Sequence, residues 1–290
     1  SGMFLLDPKH SISPSKLFFG HILRMLMALV VWGTAYALVT QVSAAGLSWA
    51  SVKAALWQVL QGKTHFHLWF LYMIVGLYLI TPILRAFVRG ASRADFHWFF
   101  LLCFVFANLL PTLLRLWPHE AVSLWVNNLN LHLVLGYVGY YVLGYYLKTY
   151  TISRAAEYLI YILGILGAAV TVGGTAWLSQ QRGVFAQTLY NYDSPNIALM
   201  SVAVFVFFRY VLGVSEERSR RQRMSSVAQV SFGVYLIHVF FLILLDRLNI
   251  TVLAIPPVLA VPALTAAVFL CSFAVAWLIS KIPLVGRYLT

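Results

Sequence analysis

Acidic side chains are scarce in this sequence: 8 Asp and Glu stand against 20 Lys and Arg in 290 residues. Charged residues of both signs make up only 10% of the chain, where a soluble domain carries about a quarter. So little charge cannot clothe a surface that faces water on all sides, and an ordinary soluble enzyme is excluded. Cysteine is nearly missing too. Cys103 and Cys271 both fall inside apolar runs, so both read as small buried hydrophobes and a disulfide scaffold is excluded. No cluster has metal-ligand spacing, and no phosphate-binding or dinucleotide glycine loop is present. No internal repeat is visible, which removes solenoids and propellers.

What fills the chain is hydrocarbon. Hydrophobic residues make up 61% and aromatic residues 16%, and charge-free runs cover 25–52, 64–84, 96–114, 121–147, 158–181, 194–208, 224–245 and 248–280. A helical crossing needs about 20 mostly apolar residues at about 1.5 Å each. Seven runs meet that length or nearly do. The run 194–208 is extended by Asn191, Tyr192 and 210–214, with Arg209 snorkelling. Lipid offers backbone amides no partner outside their own helix, so the expected fold is all-α, a polytopic transmembrane bundle with eight spans in one integral domain, 1–290. Basic residues support the count. Lys53, Lys63, Arg115, Arg182 and Arg247 fall in one set of connections and the other 15 of the 20 in the alternate set. This bias places both ends in the cytoplasm and accounts for the net charge of +12 without nucleic acid.

Local patterns add detail. The segment 48–60, SWASVKAALWQVL, sets Val52, Ala55, Leu56 and Val59 on one side and is expected to lie along the outer surface. NNLN at 127–130 is a polar patch before the fourth span, 215–223 reads as a charged cytoplasmic loop, and IPPVLAVP at 255–262 marks the turn into the last span. The opening SGMFLLDP is an apolar stub closed by Asp-Pro, a helix-stop signal. It reads as the end of a helix whose beginning is absent, so a truncated chain is expected.

Four places carry chemistry. His67, Trp69 and Tyr72 open the second span, either as an interfacial aromatic belt or as the lining of an aqueous pocket in which a histidine handles protons. His238 sits in the middle of the seventh span with Tyr235 one turn before it. An ionisable group at that depth is a functional candidate, and a neutral ring bonded to a neighbouring helix is the plain reading. His21 and Arg24, one turn apart at the inner end of the first span, either anchor that helix or grip a phosphorylated ligand. Asp193, just before Pro195, either caps the next helix or orients a histidine or an acceptor hydroxyl. His97 and His132 read as packing or interface residues.

The series SGMFLLDP, HILRML, HLWFLYMIVGLYLITPIL, YDSPNIALMSVAVF and SFGVYLIH resembles the acyltransferase-3 family of bacterial membrane acyltransferases over nearly the whole chain. It is most similar there to the enterobacterial common antigen O-acetyltransferase group. The resemblance implies ten helices, of which the first and most of the second are missing here, with Ser1 and Gly2 matching a Ser-Gly pair late in the second. It implies a bacterial inner-membrane enzyme that takes an acetyl group from cytoplasmic acetyl-CoA to a hydroxyl of a cell-envelope glycan or lipid-linked saccharide, without a tightly bound cofactor or metal. The family's main catalytic histidine would lie upstream of Ser1. The family's Arg-x-x-Arg motif reads His21-Ile22-Leu23-Arg24 here, which keeps the second arginine alone.

On that reading His21 and Arg24 hold the phosphates of coenzyme A, while Trp69, Tyr72 and Asp193 shape the acceptor pocket. His67, Tyr235 and His238 supply catalytic polar groups, and a cation-lined passage links them to Arg24. A hydroxyl needs a base before it attacks a thioester, and the developing oxyanion needs donors. The rival function is a glycan exporter or flippase of the same family.

Overall fold

The computed structural model describes every residue except Ser11, Asn130, His132, Leu133, Leu135, 215–223, Ala254, Ile255, Leu284 and Thr290. The expectations for Asn130, His132, the 215–223 loop and Ile255 therefore lie outside the described residues.

The described chain is helical and contains no strand. In order, α1 is Gly2–Leu5, α2 is Leu23–Ala45, α3 is Trp49–Leu60 and α4 is Trp69–Gly90. Then α5 covers Arg93–Leu116 and α6 covers Glu120–Asn128. They are followed by α7 at Val138–Thr149, α8 at Arg154–Arg182 and α9 at Pro195–Tyr210. The chain ends in α10 at Met224–Arg247, α11 at Pro257–Ser280 and α12 at Val285–Leu289. Six of the described segments are long and apolar enough to cross a membrane: Pro14–Val42, Phe66–Gly90, α5, α8, Val230–Arg247 and α11. The helix α9 is apolar but shorter.

The charge-free run 121–147 is divided near the polar patch expected to precede the fourth span. It forms two helices, α6 and α7, rather than one, and Gly136 between them has φ 67°. The helix α6 stops at Asn128, and the left-handed glycine is incompatible with a continuous helix through it. Three other spans stay continuous but carry a widened turn of π-helix, at Leu17–Ile22, Phe104–Leu109 and Val170–Gly174. Such turns shift the phase of the side chains that follow. The first lies directly before Arg24.

The chain divides into two compact units, one of residues 1–12 and 80–215, the other of 13–79 and 216–290. In the first unit α8 packs on α9. Close approach there requires glycine: a Cβ on Gly164 would lie 2.4 Å from the Ala203 Cβ, and one on Gly167 would lie 2.7 Å from the Asn196 carbonyl oxygen. Asn196 joins the pair by donating to Thr171 Oγ1 at 2.8 Å and to the Leu189 carbonyl at 2.7 Å. The amino-terminal segment is held by Arg85, which donates to the carbonyls of Leu5, Asp7 and His10, and by Lys148, 3.0 Å from Asp7 Oδ2. Burial alone would raise the Asp7 pKa, but the Lys9 amide and the Lys148 ammonium outweigh it and hold that carboxyl below its ordinary value.

In the second unit α2 packs against α3, and α10 against α11. Val230, Ile237 and Ala276 form a core between α10 and α11, flanked by Trp32, Val234 and Phe273. The helix α3 is capped by Ser48, whose hydroxyl accepts from the Ser51 amide at 3.2 Å. Its buried stripe is Ser51, Ala55 and Val59, while Leu56 is exposed. Cys103 is buried as expected, but Cys271 is exposed on a helix whose apolar surface suits lipid.

Candidate functional site

The second unit gathers its polar rings at one place. Tyr36 lies in the middle of α2 and is only 1% exposed. A buried phenol needs a partner, and its hydroxyl donates to the Leu236 carbonyl of α10 at 2.7 Å. Its ring stacks on Phe240 with centroids 3.9 Å apart and meets the edge of His67 at 4.8 Å. His65 lies 4.9 Å from the same tyrosine ring.

His67 is carried by a single tight turn, Phe66–Leu68, that leads into α4, and this turn puts the imidazole in the interior. Its Nδ1 is 3.0 Å from Nδ1 of His65. One of these nitrogens donates and the other accepts, so the pair shares a single proton across that contact. The buried Nε2 of His67 makes no hydrogen bond among the described residues. The Tyr235 hydroxyl donates to the His67 carbonyl, tying α10 to the start of α4. The His67 and His238 rings are 5.5 Å apart.

His238 is the member with chemistry to spare. Its Nδ1 is 2.7 Å from the Tyr235 carbonyl. A carbonyl can only accept, so Nδ1 carries the proton and Nε2 keeps its lone pair. The ring also lines a cavity of about 640 Å³ between α10 and α11. Its walls are apolar, with Leu242, Leu264, Val268 and Phe269 prominent, and Asp246, Thr251 and Thr265 supply the polar positions. From Val234 to Asp246 it follows α10 for about 18 Å at the helical rise.

The structure thus brings together three expected residues, His67, Tyr235 and His238. The other expected residues lie elsewhere. The Arg24 guanidinium is 5.2 Å from the centre of the Phe232 ring, a cation–π contact. The His21 ring meets Tyr78 edge-on at 5.7 Å. Neither lines the 640 Å³ cavity. Trp69 and Tyr72 are 46% and 39% exposed, as an aromatic belt would be.

Asp193 belongs to the other unit and pairs with Arg115. It is not the cap of α9. That position is Ser194, whose hydroxyl donates to the Thr188 carbonyl. His97 packs through a 2.8 Å bond to the Tyr146 hydroxyl.

Sequence reasoning missed His65, Tyr36 and Phe240. The THFH spelling at 64–67 was a signal for His65, since two imidazoles two residues apart share one turn. Tyr36 had only its hydroxyl within an apolar run to mark it.

An α-helical membrane protein with an imidazole–tyrosine cluster beside an apolar cavity is the class that fold and site define. A family model described as an acyltransferase domain matches residues 1–279, and the chain belongs to that family. It is a membrane acyltransferase. No curated protein and no solved structure matches the chain.

Proposed function

We propose that this protein moves an acetyl group from cytoplasmic acetyl-CoA to a hydroxyl of a cell-envelope glycan or lipid-linked saccharide, with His238 as the base. The observation that carries the reading is the pinned Nδ1 of His238, which leaves Nε2 as an acceptor at an open cavity. The acceptor hydroxyl gives its proton to Nε2 as its oxygen attacks the thioester carbonyl. The tetrahedral intermediate collapses, the C–S bond breaks, and the imidazolium returns the proton to the departing thiolate. The Tyr235 carbonyl steadies the charged ring during the transfer. His67, with the proton it shares with His65, and the Tyr235 hydroxyl fix the position of the ring cluster.

In this reading Arg24 and His21 meet the phosphates of coenzyme A at the cytoplasmic side. Trp69 and Tyr72 serve the acceptor. The basic-residue bias supports a reading with both ends in the cytoplasm, and the motif series supports a bacterial inner membrane and the enterobacterial common antigen O-acetyltransferase group.

The test is radiolabelled acetyl transfer by the purified protein in lipid, with envelope glycan as acceptor. Loss of a general base lowers turnover by about 10²–10⁴-fold, so His238→Gln should fall in that range. Arg24→Ala should raise the KM for acetyl-CoA with less effect on kcat. A His238→Gln protein with wild-type turnover would remove His238 from the mechanism.

A further inference from the structure

An acetyl group presents one methyl to a protein, yet the cavity beside His238 has a volume of about 640 Å³. We infer that this cavity is an acyl-chain pocket and that the protein accepts acyl-CoA donors longer than acetyl. The inference rests on His238 as the base and on the acyltransferase family, and it extends both to the length of the transferred group.

Three observations converge on an acyl chain as the occupant. First, most of the wall is hydrocarbon, with Val234, Leu242 and Leu245 from α10 and Leu264, Val268 and Phe269 from α11, and Asp246, Thr251 and Thr265 its other polar positions beside His238. A sugar would leave its hydroxyls unpaired along such a surface. Second, His238 is the imidazole on the wall, and among the described residues no bond to its second ring nitrogen is seen. A thioester carbonyl must lie near that nitrogen for the attacking hydroxyl to be deprotonated, which sets where the chain begins. Third, the cavity continues for two further turns of α10 beyond His238, to Leu245 and Asp246, about 12 Å at the helical rise. This is room for several methylenes in line.

The chemistry is that of the acetyl reaction with a longer acyl group. The hydroxyl oxygen forms the ester C–O bond, the thioester C–S bond breaks, and the hydroxyl proton passes through His238 to the coenzyme A thiolate.

The experiment uses unreactive thioether analogues, S-ethyl-CoA, S-butyl-CoA and S-hexyl-CoA, whose affinity is measured calorimetrically on the purified protein in lipid. Each methylene that enters the cavity strengthens binding by up to about fourfold, so S-hexyl-CoA should bind on the order of a hundredfold more tightly than S-ethyl-CoA. Leu264→Trp and Thr265→Trp fill the cavity from the α11 side, and each should abolish most of the gain. Two variants guard against one that fails to fold.

Affinity that is flat or falling with chain length overturns the pocket, and so does a gain that survives both substitutions. Acyl transfer to glycan, measured in parallel, reports on the proposed function separately. A chain-length gain without transfer would uphold the pocket and sink the acceptor assignment, whereas acetyl transfer without a gain would do the reverse.

Discussion

Replacing Arg85 by methionine removes the donor that fastens residues 5–10 to α4. Arg85 is 6% exposed. Its Nη1 donates to the carbonyls of Leu5 at 2.5 Å and Asp7 at 3.1 Å, and Nη2 donates to the His10 carbonyl at 2.6 Å. Methionine keeps much of the volume and donates nothing. Leu5 and Asp7 are buried, and each carbonyl left without a partner costs about 1–3 kcal/mol. The exposed His10 turns to water at little cost. Against this loss of about 2–6 kcal/mol, the variant no longer holds a guanidinium out of water, an expense of several kcal/mol that is only partly recovered in the native protein. The net expectation is a destabilisation of about 2–4 kcal/mol. Arg85→Lys should fall between, because a single ammonium reaches fewer of the three carbonyls. The assay pairs thermal unfolding in lipid with limited proteolysis of residues 1–12. A global effect of this size lowers Tm by at least about 5 °C, and a local one exposes the segment to protease. If Arg85→Met changes neither, the three bonds do not hold the segment and the reasoning fails.

Gly167→Ala should destabilise by about 1–3 kcal/mol through overpacking, since its Cβ would lie 2.7 Å from the Asn196 carbonyl oxygen. Gly76→Ala, with open space around it, should be neutral or slightly stabilising by helix propensity; equal effects in thermal unfolding would refute the contrast. The depressed Asp7 pKa gives a contribution that is fully present above the ordinary carboxyl pKa of about 4 and is lost as pH falls through the lower folded value. Thermal unfolding from pH 7 downward should therefore show an acid limb that Lys148→Met flattens, and an unchanged limb in that variant would count against the ion pair. Tyr36→Phe keeps the stack on Phe240 but loses the bond to the Leu236 carbonyl. It should cost about 0.5–1.5 kcal/mol, read as a small fall in Tm, and a larger loss would show that the hydroxyl does more than hold α2 to α10.

The membrane architecture was legible because charge is excluded from lipid wherever it falls in the sequence, and charge-free runs therefore mark spans directly. Freedom from charge does not make the run 121–147 one helix, and the polar patch at 127–130 already sets the fourth span after it. The helix α6 ends at Asn128, and Gly136 stands before α7 at positive φ, a signal that is conformational rather than hydrophobic. Asp193 failed as a cap for a different reason. Its partner, Arg115, is 78 residues away, and no local spacing encodes such a pairing.

His67 and His238 were legible by their cost, because a polar ring among apolar neighbours needs a reason to be there. Tyr36 and Phe240 were not, since which aromatic faces meet depends on how α2 and α10 are turned toward each other. The decisive detail at His238 lies between these extremes. Helix register alone brings the carbonyl of residue 235 within reach of a ring at 238, so the chance of an Nδ1 bond is already written in the spacing. Whether the ring takes that bond depends on what stands around it, and here His67 and Tyr235 flank it while the cavity lies open beside it. The sequence therefore carries the imidazole and its local acceptor, and the packing around α10 decides that the ring lies beside His67 and lines the cavity.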